Sequence, residues 1–302
     1  MSGFGKFAAV CALVMGAGAP VFAQNDMADV TVTREALRGP VHVIFGRGGN
    51  IALSSGSDGA FLVDDQYAPL TDKIRAAVAE TGDPVLRFVI NTHFHMDHSG
   101  GNENLGQSGA LIIAHDNVRH RLKTGAEIKA FGAVMDPASD ATLPVVTFNE
   151  EMSLHLNGEE ARVIHVPHAH TDGDSMVHFT GSNVLHMGDT FFNNRFPFID
   201  VDNGGSIDGI LNAVSVALER VDDDTIIIPG HGPVTDRAGL ETYRDVVTEA
   251  RDRIAAQKAE GKSLKEIQAA APLADMADKW HTERDGWTDL FISFVYRSLP
   301  EK

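Results

Sequence analysis

The strongest signal in this sequence is the stretch 91–102, which reads Asn-Thr-His-Phe-His-Met-Asp-His-Ser-Gly-Gly-Asn. A nearly continuous apolar run comes directly before it, which is typical of a strand buried on both faces. The polar stretch is therefore expected on a loop at the C-terminal end of that strand. Within six residues this loop carries His93, His95, Asp97 and His98. Neutral imidazole and carboxylate are ligands that proteins use for divalent metal ions, so the loop is predicted to bind metal.

Three later positions repeat the arrangement of a polar side chain at the end of a strand. His170 lies between two predicted strands, Asp189 lies at a strand end, and His231 follows a short apolar strand. A glycine close to each of them allows the backbone to approach an ion closely. A single histidine after a strand is usually structural, but the whole set predicts one metal centre.

Strands and helices alternate around these sites in two halves, residues 40–135 and 140–302. Strands are predicted over residues 41–45, 51–53, 60–63, 85–91, 110–114, 145–148, 152–156, 161–165, 175–179, 183–187 and 225–228. Helices are predicted over residues 72–80 (with Thr71 as N-cap), 115–123, 207–219, 238–259 and 288–299, and residues 124–143 are expected to form a loop or short helices. This pattern fits one domain with two central sheets and helices outside.

The composition limits the classes of partner. The chain has 302 residues, of which 42 are acidic and 25 basic, so its formal net charge is -17. A surface of this sign does not neutralise phosphates, which argues against a nucleic-acid partner and leaves a small-molecule substrate. No internal stretch reaches the roughly 18 apolar residues that a membrane span needs. The oligomeric state is left open.

The first 23 residues have the layout of a signal peptide. Lys6 precedes an apolar run, small residues follow, and Ala23 offers a cleavage site before Gln24. We therefore expect a mature domain of residues 24–302, located in the periplasm or secreted, with no stable membrane insertion after cleavage. The single cysteine, Cys11, lies in the cleaved segment. The mature chain then has no disulfide, thiol nucleophile or cysteine ligand.

Taken together, these motifs resemble those of the metallo-β-lactamase superfamily over residues 40–240 or so. Its His-x-His-x-Asp-His signature and its later His, Asp and Gly-His elements correspond here to His93, His95, Asp97, His98, His170, Asp189 and His231. The resemblance implies an α/β fold, a four-layered αββα sandwich, with two Zn²⁺ per chain. It implies that the first zinc is held by His93, His95 and His170. The second would be held by Asp97, His98 and His231, with Asp189 bridging the two ions.

The resemblance also implies a zinc-dependent hydrolase in which a metal-bound hydroxide, oriented by Asp97 as catalytic residue, opens a cyclic amide. A β-lactam is the leading substrate, because the signal peptide predicts export and β-lactams act outside the cell. The absence of a mature cysteine excludes the β-lactamase subclass that uses a cysteine ligand. An aspartate at position 189 is more similar to the pattern of glyoxalase II and lactonases than to that of typical β-lactamases. Lactones, thioesters and phosphoesters are therefore the alternative substrates. A mononuclear iron oxidoreductase acting on persulfides and a non-catalytic metal-binding module are further alternatives.

Three other residues are candidates for supporting roles. Asn193 and Arg195 follow Asp189 and are predicted either to bind a substrate carboxylate or to belong to a solvated loop. Asp64 follows a buried strand and is a candidate hydrogen-bond partner of the ligand loop. Residues 45–50 are predicted to form a tight hairpin, with a flap over the cleft as the alternative. The other histidines, His186 among them, are predicted to be structural or to lie on the surface.

Overall fold

The computed structural model describes residues 27–82, 84–280 and 284–300. The predicted signal peptide lies outside the described residues. Within the described ranges, none of the helices combines the length and apolar character that crossing a membrane requires.

Fourteen strands and nine α-helices make up the described part of the chain. The strands are β1 (Thr33–Arg38), β2 (Val41–Phe45), β3 (Ile51–Gly56), β4 (Gly59–Val63), β5 (Leu86–Ile90), β6 (Leu111–His115), β7 (Ala126–Ile128), β8 (Ala133–Met135), β9 (Val146–Phe148), β10 (Glu151–Leu156), β11 (Glu159–His165), β12 (Ser175–Phe179), β13 (Val184–His186) and β14 (Ile226–Ile228). The helices are α1 (Thr71–Ala79), α2 (Met96–Ser99), α3 (Asn102–Gln107), α4 (Asp116–Thr124), α5 (Ile207–Leu218), α6 (Arg237–Ala259), α7 (Leu264–Ala270), α8 (Ala274–Trp280) and α9 (Trp287–Ser298).

Two sheets form the centre of the molecule. The first has seven strands in the order β1-β2-β3-β4-β5-β6-β9, and the second has five in the order β10-β11-β12-β13-β14. Strands β1 to β4 are antiparallel, whereas β4, β5, β6 and β9 run parallel. Parallel neighbours need crossover connections, which usually contain helices. Helix α1 connects β4 to β5, α2 and α3 connect β5 to β6, and α4 lies between β6 and β9.

The period-two alternation of the strands produces four layers. On β4, Phe61 and Val63 face the second sheet, and Phe61 stacks on Phe179 with ring centroids 5.7 Å apart. Ala60 and Leu62 on the same strand face the opposite way, into a cluster that includes residues of α1. The outer face of the second sheet packs against α5, α6 and α9. The layer order is therefore αββα, which confirms the predicted fold.

Most predicted elements are present, but two predictions about the first half were wrong. Thr71 does not cap α1. It is the first residue of the helix, and its hydroxyl donates to the carbonyl of Ala68 in the preceding 3-10 turn. The strand predicted over residues 85–91 is shorter and is not buried throughout. Within β5 only Val89 and Ile90 are fully buried, because β5 and β6 begin at an end of the sheet where Val85 and Leu111 are exposed.

The division into halves also differs from the prediction. Strand β9 lies beyond the predicted boundary and yet belongs to the first sheet, and residues 124–143 contain the hairpin β7–β8 as well as 3-10 turns. Strand β1 was missed because its polar sequence has no alternation, and it is extended through pairing with β2. Helix α7 was also missed, although Ser263 and Glu266 form a capping box that is visible in the sequence.

An aromatic stack packs helix α9 against the segment that follows Asp189. Phe291 is fully buried and lies parallel to Phe196, with ring centroids 4.5 Å apart and an interplanar angle of 6°.

Replacing Phe291 by alanine should lower the free energy of unfolding by about 3–5 kcal/mol, through lost burial and the cavity left behind. Urea denaturation measures this change. Val134→Ala, at a side chain that is 70% exposed, is the control and should change it by less than about 0.5 kcal/mol. Equal effects of the two substitutions would contradict the packing of α9.

Candidate metal centre

The backbone of the motif changes conformation within the ligand set. His93 and His95 lie in the segment between β5 and α2, and His95, the residue that precedes α2, is extended with φ −64° and ψ 146°. Asp97 and His98 lie inside the short helix α2. Because the chain passes from extended to helical geometry at His95, the two pairs of side chains project in different directions. One short segment thus supplies ligands to two neighbouring positions.

The remaining ligands come from the second half of the chain. His170 lies in the loop between β11 and β12, and Asp189 lies in a 3-10 turn directly after β13. His231 follows β14. Strand ends from both sheets therefore meet here, and all seven predicted ligands are brought together. They form three overlapping groups in which the ligand atoms lie within 4.8 Å of one another: His93, His95 and His170; His93, His98 and Asp189; and Asp97, His98 and His231.

The first group consists of imidazoles with fixed tautomers. His95 Nε2 donates to Asp200 Oδ2 at 3.0 Å, and His170 Nδ1 donates to the carbonyl of Phe198 at 2.9 Å. The other two nitrogens, His95 Nδ1 and His170 Nε2, then face each other unprotonated at 2.9 Å. The buried Nε2 of His93 has no hydrogen-bond partner among the described residues. Unpaired acceptors this close together fit a bound cation, and buried polar groups without partners are costly.

The group of Asp97, His98 and His231, called the second group from here on, combines a carboxylate with two imidazoles. His231 Nε2 lies 3.2 Å from Asp97 Oδ2 and 3.3 Å from His98 Nε2. The side chains of Asp97 and His231 are 24% and 18% exposed, whereas those of the first group are nearly inaccessible. The second group therefore lies on the side of the centre that is open to solvent.

Asp189 lies between the two groups. Its Oδ1 is 3.0 Å from His98 Nε2, and its Oδ2 is 3.4 Å from His231 Nε2. The same Oδ2 is 3.7 Å from His170 Nε2 and 3.9 Å from His93 Nε2. Gly188 precedes it with φ 53°, and a Cβ on Gly230 would lie 2.1 Å from Asp189 Oδ1. Both glycines are required by the close approach of the two loops.

Asp64 holds the start of the motif and confirms the predicted hydrogen bond to the ligand loop. Its Oδ2 accepts from His98 Nδ1 at 2.7 Å and from the hydroxyl of Thr92 at 2.8 Å. Its Oδ1 accepts from the backbone N–H of Thr92 at 2.7 Å. This carboxylate directs His98 Nε2 towards the centre and supports Thr92, the hydrogen-bond partner of His93 Nδ1.

The electrostatics of the two groups differ. Burial, with the neighbouring imidazoles, lowers the pKa of His93 well below its usual value, and burial lowers the pKa of His170 to about 4. Burial also opposes the protonation of His98, but Asp189, Asp97 and Asp64 raise its pKa well above the usual value. In the same way, Asp189 and Asp97 outweigh burial and raise the pKa of His231 to about 9. Burial therefore opposes the protonation of His93 and His170, whereas the carboxylates around His98 and His231 favour positive charge there.

Several supporting residues were missed by the sequence analysis. Asp200, which orients His95, accepts from Asn203 Nδ2 at 2.8 Å, and Asn203 in turn accepts from Arg121 at 2.6 Å. Phe198 stacks on His95 and Phe192 stacks on His231, with ring centroids 5.6 and 5.3 Å apart. No local pattern marks these residues, because their partners are distant along the chain.

Of the two proposed substrate-binding residues, Asn193 lies beside the His231 loop. The backbone N–H of Asn193 donates to the carbonyl of His231 at 2.9 Å, and its Nδ2 donates to the carbonyl of Pro233 at 2.8 Å. Arg195 is partly buried two residues further along. Their role in substrate binding stays a prediction.

Removing the charge of Asp64 should weaken metal binding. In Asp64→Asn the carboxamide can still accept one hydrogen bond but offers no negative charge to His98 Nδ1. We expect zinc affinity to fall by about 10–100-fold, measured by calorimetric titration. Asp72→Asn, at an exposed position of α1, is the control and should bind zinc like the wild type. Unchanged affinity in Asp64→Asn would contradict this role.

Metal binding should also depend on pH. With its pKa near 9, metal-free His231 carries a proton at neutral pH that a metal ion must displace. Zinc affinity should therefore increase from pH 6 towards 9, by about tenfold per pH unit for each proton displaced. Titrations at several pH values measure this. His231→Ala removes one displaced proton and should make the dependence shallower, with His98 still contributing, whereas a pH-independent affinity of the wild type would contradict the prediction.

Comparison with known proteins agrees with this geometry. The sequence model of the metallo-beta-lactamase superfamily matches residues 44–231, which include all seven ligands. The hydroxyacylglutathione hydrolase of Polaromonas sp. (strain JS666) is 28% identical over 183 residues, covering 59% of this chain and 60% of that protein. The hydroxyacylglutathione hydrolase GloC of Haemophilus influenzae is 29% identical over 154 residues, covering 50% and 70%. The chain thus spans less than two thirds of the length of the Polaromonas protein.

A similar fold is found among solved structures. The metallo-beta-lactamase from Pontibacter korlensis superposes with a TM-score of 0.60 at 15% identity, covering 72% of this chain and 99% of that one. At this identity the match concerns the fold alone. Together, the signature, the converging side chains and the family match show that this chain belongs to the metallo-beta-lactamase superfamily.

Proposed function

We propose that the protein is an exported enzyme that holds two zinc ions and hydrolyses a thioester or other ester. The observation that carries this proposal is the position of Asp189, whose carboxylate lies within 3.9 Å of imidazole nitrogens from both ligand groups. One carboxylate shared in this way suits a pair of ions about 3.5–4 Å apart.

The donor set fits zinc. His93, His95 and His170 would hold one ion, Asp97, His98 and His231 the other, and Asp189 would contact both. Imidazole nitrogen and carboxylate oxygen are ligands that zinc accepts, whereas a site for Mg²⁺ would be built of oxygen atoms. When bound, the ions supply a water that ionises near neutral pH, and they polarise the substrate carbonyl.

Two residues on the solvent-accessible side of the centre could act on a substrate. Asp97 is the catalytic candidate, because its partly exposed carboxylate can accept a hydrogen bond from the attacking water and orient it towards the carbonyl. Tyr67 is a nearby donor. Burial and the nearby Asp97 raise the pKa of Tyr67 well above its usual value, so its hydroxyl keeps its proton.

The choice of a thioester rests on the relatives. Two similar proteins are named hydroxyacylglutathione hydrolases, and such a substrate is a thioester. Because the alignment covers 60% of the Polaromonas protein, we extend to this chain only the carbonyl chemistry and not the glutathione part of the substrate.

A β-lactam is the second candidate, and the predicted signal peptide favours it. If residues 1–23 direct export, the enzyme works in the periplasm or outside the cell, where β-lactams act. The mononuclear iron oxidoreductase is less favoured, because His98 and His231 complete a second ligand group that a single iron would not need. Lactones and phosphoesters remain substrates to assay on the same centre.

A substrate panel tests the proposal. The zinc-loaded protein is assayed with a hydroxyacylglutathione thioester, an aryl ester, a lactone, a phosphoester and a chromogenic cephalosporin. We expect thioester or ester turnover, and Asp97→Asn should lower kcat by about 10²-fold or more, while Asp72→Asn leaves it unchanged. Turnover of the cephalosporin alone would favour the β-lactam candidate. Activity on none of the substrates with two zinc ions bound, or activity that depends on one iron, would overturn the proposal.

A further inference from the structure

The loop of residues 46–50, which joins β2 to β3, contacts the second ligand group on one side. The backbone N–H of Gly49 donates to the carbonyl of Asp97 at 3.0 Å. A Cβ on Gly49 would lie 2.0 Å from His98 Cε1, so only glycine allows this approach to the imidazole ring. The 46–50 loop therefore lies directly against two of the three residues of this group.

Asn50 of the same loop holds the third residue from the other half of the chain. Its Nδ2 donates to the carbonyls of Pro229 and Gly232 at 2.9 and 2.8 Å, and its backbone N–H donates to the carbonyl of Gly230 at 2.7 Å. These three carbonyls flank His231 on both sides. Asn50 is buried, so the bonds do not compete with bulk water.

The 46–50 loop is itself anchored from behind. Gln66 Nε2 donates to the carbonyl of Gly49 at 2.7 Å. His186 Nε2 donates to the carbonyl of Asn50 at 2.8 Å, while His186 Nδ1 accepts from the backbone N–H of Gly188 at 3.2 Å. The buried His186 thus links this loop to the turn that carries Asp189, which is consistent with the structural role predicted for it.

The first ligand group is held by different residues. Its partners are Thr92 for His93, Asp200 for His95 and the carbonyl of Phe198 for His170. All three lie outside the 46–50 loop. The two groups share Asp189, and Asp64 supports both through His98 and Thr92, but the side-chain bonds of Asn50 reach only the chain around His231.

From this separation we infer that Asn50 is a positioning residue that assembles the second ligand group, Asp97, His98 and His231, independently of the first. The inference rests on the proposed two-ion centre. The three bonds from Asn50 keep the chain around His231 in register with the first sheet, so that His231 Nε2 lies 3.2 Å from Asp97. Without the two side-chain bonds, only the backbone bond from Asn50 to the carbonyl of Gly230 remains of this connection, while the buried first group keeps all its partners.

Calorimetric zinc titration of Asn50→Ala tests the inference. We expect one ion per chain to bind as in the wild type and the other to bind about 10–100-fold more weakly, as is usual when a supporting partner of a metal ligand is lost. Asn50→Asp keeps the volume but places a carboxylate opposite two carbonyls, so it should show the same selective loss. Elemental analysis of the dialysed proteins gives the ion count, and circular dichroism shows that the variants are folded.

Asn157→Ala is the matched control. The Nδ2 of Asn157 also joins distant strands, donating to the carbonyl of Gly59 at 3.0 Å and to Ser54 Oγ at 3.3 Å, but it lies away from the ligands. This variant should lose stability and still bind both ions. A purely structural role for Asn50 would make the Asn50 and Asn157 variants behave alike.

The outcomes separate the inference from the function on which it rests. If the wild type binds two ions and the Asn50 variants bind both normally, or lose both equally, the inference is wrong and the two-ion proposal stands. If the wild type binds a single ion, the two-ion proposal fails and the inference fails with it.

Discussion

The contact of one carboxylate with two sets of imidazoles is the interaction on which the rest of the centre depends. Asp189 faces nitrogens from His93, His98, His170 and His231 at distances of 3.0 to 3.9 Å. Such a cluster of buried acceptors is stable only if protons or a cation lie among them. The sandwich fold provides the arrangement, because strands of both sheets end at the same edge and their loops meet there. The glycines around Asp189 permit the close approach of those loops.

The two ligand groups differ in burial and in charge. The first consists of buried imidazoles, each held in one orientation by a hydrogen-bond partner. The second lies closer to solvent and contains Asp97 beside two histidines whose pKa is raised by carboxylates. The burial of His93 and His170 opposes their protonation, whereas His98 and His231 attract protons. The second group also lies on the side of the centre that is open to solvent.

The supporting residues connect the centre to the whole molecule. Asp64 joins β4 to the motif, Asp200 and Asn203 join α4 to His95 through Arg121, and Asn50 joins the first sheet to the loop of His231. Each of these bonds crosses between elements that the sandwich brings into contact. The geometry of the centre is thus a property of both halves of the chain and of neither alone.

The motif and the resemblance to the metallo-beta-lactamase superfamily are recognised from local patterns, which are polar side chains at short spacings after predicted strands. The resemblance then implies the αββα fold and the seven candidate ligands. That information is contained in stretches of a few residues, so it can be read without coordinates. The hydrogen-bonding partners of those ligands required the folded chain. Asn50 reaches Pro229 across 179 positions and His95 reaches Asp200 across 105. Bonds over such separations arise when sheets pack against each other, and they leave no spacing or periodicity in the sequence by which Asn50 or Asp200 could be told from any other polar residue in a loop.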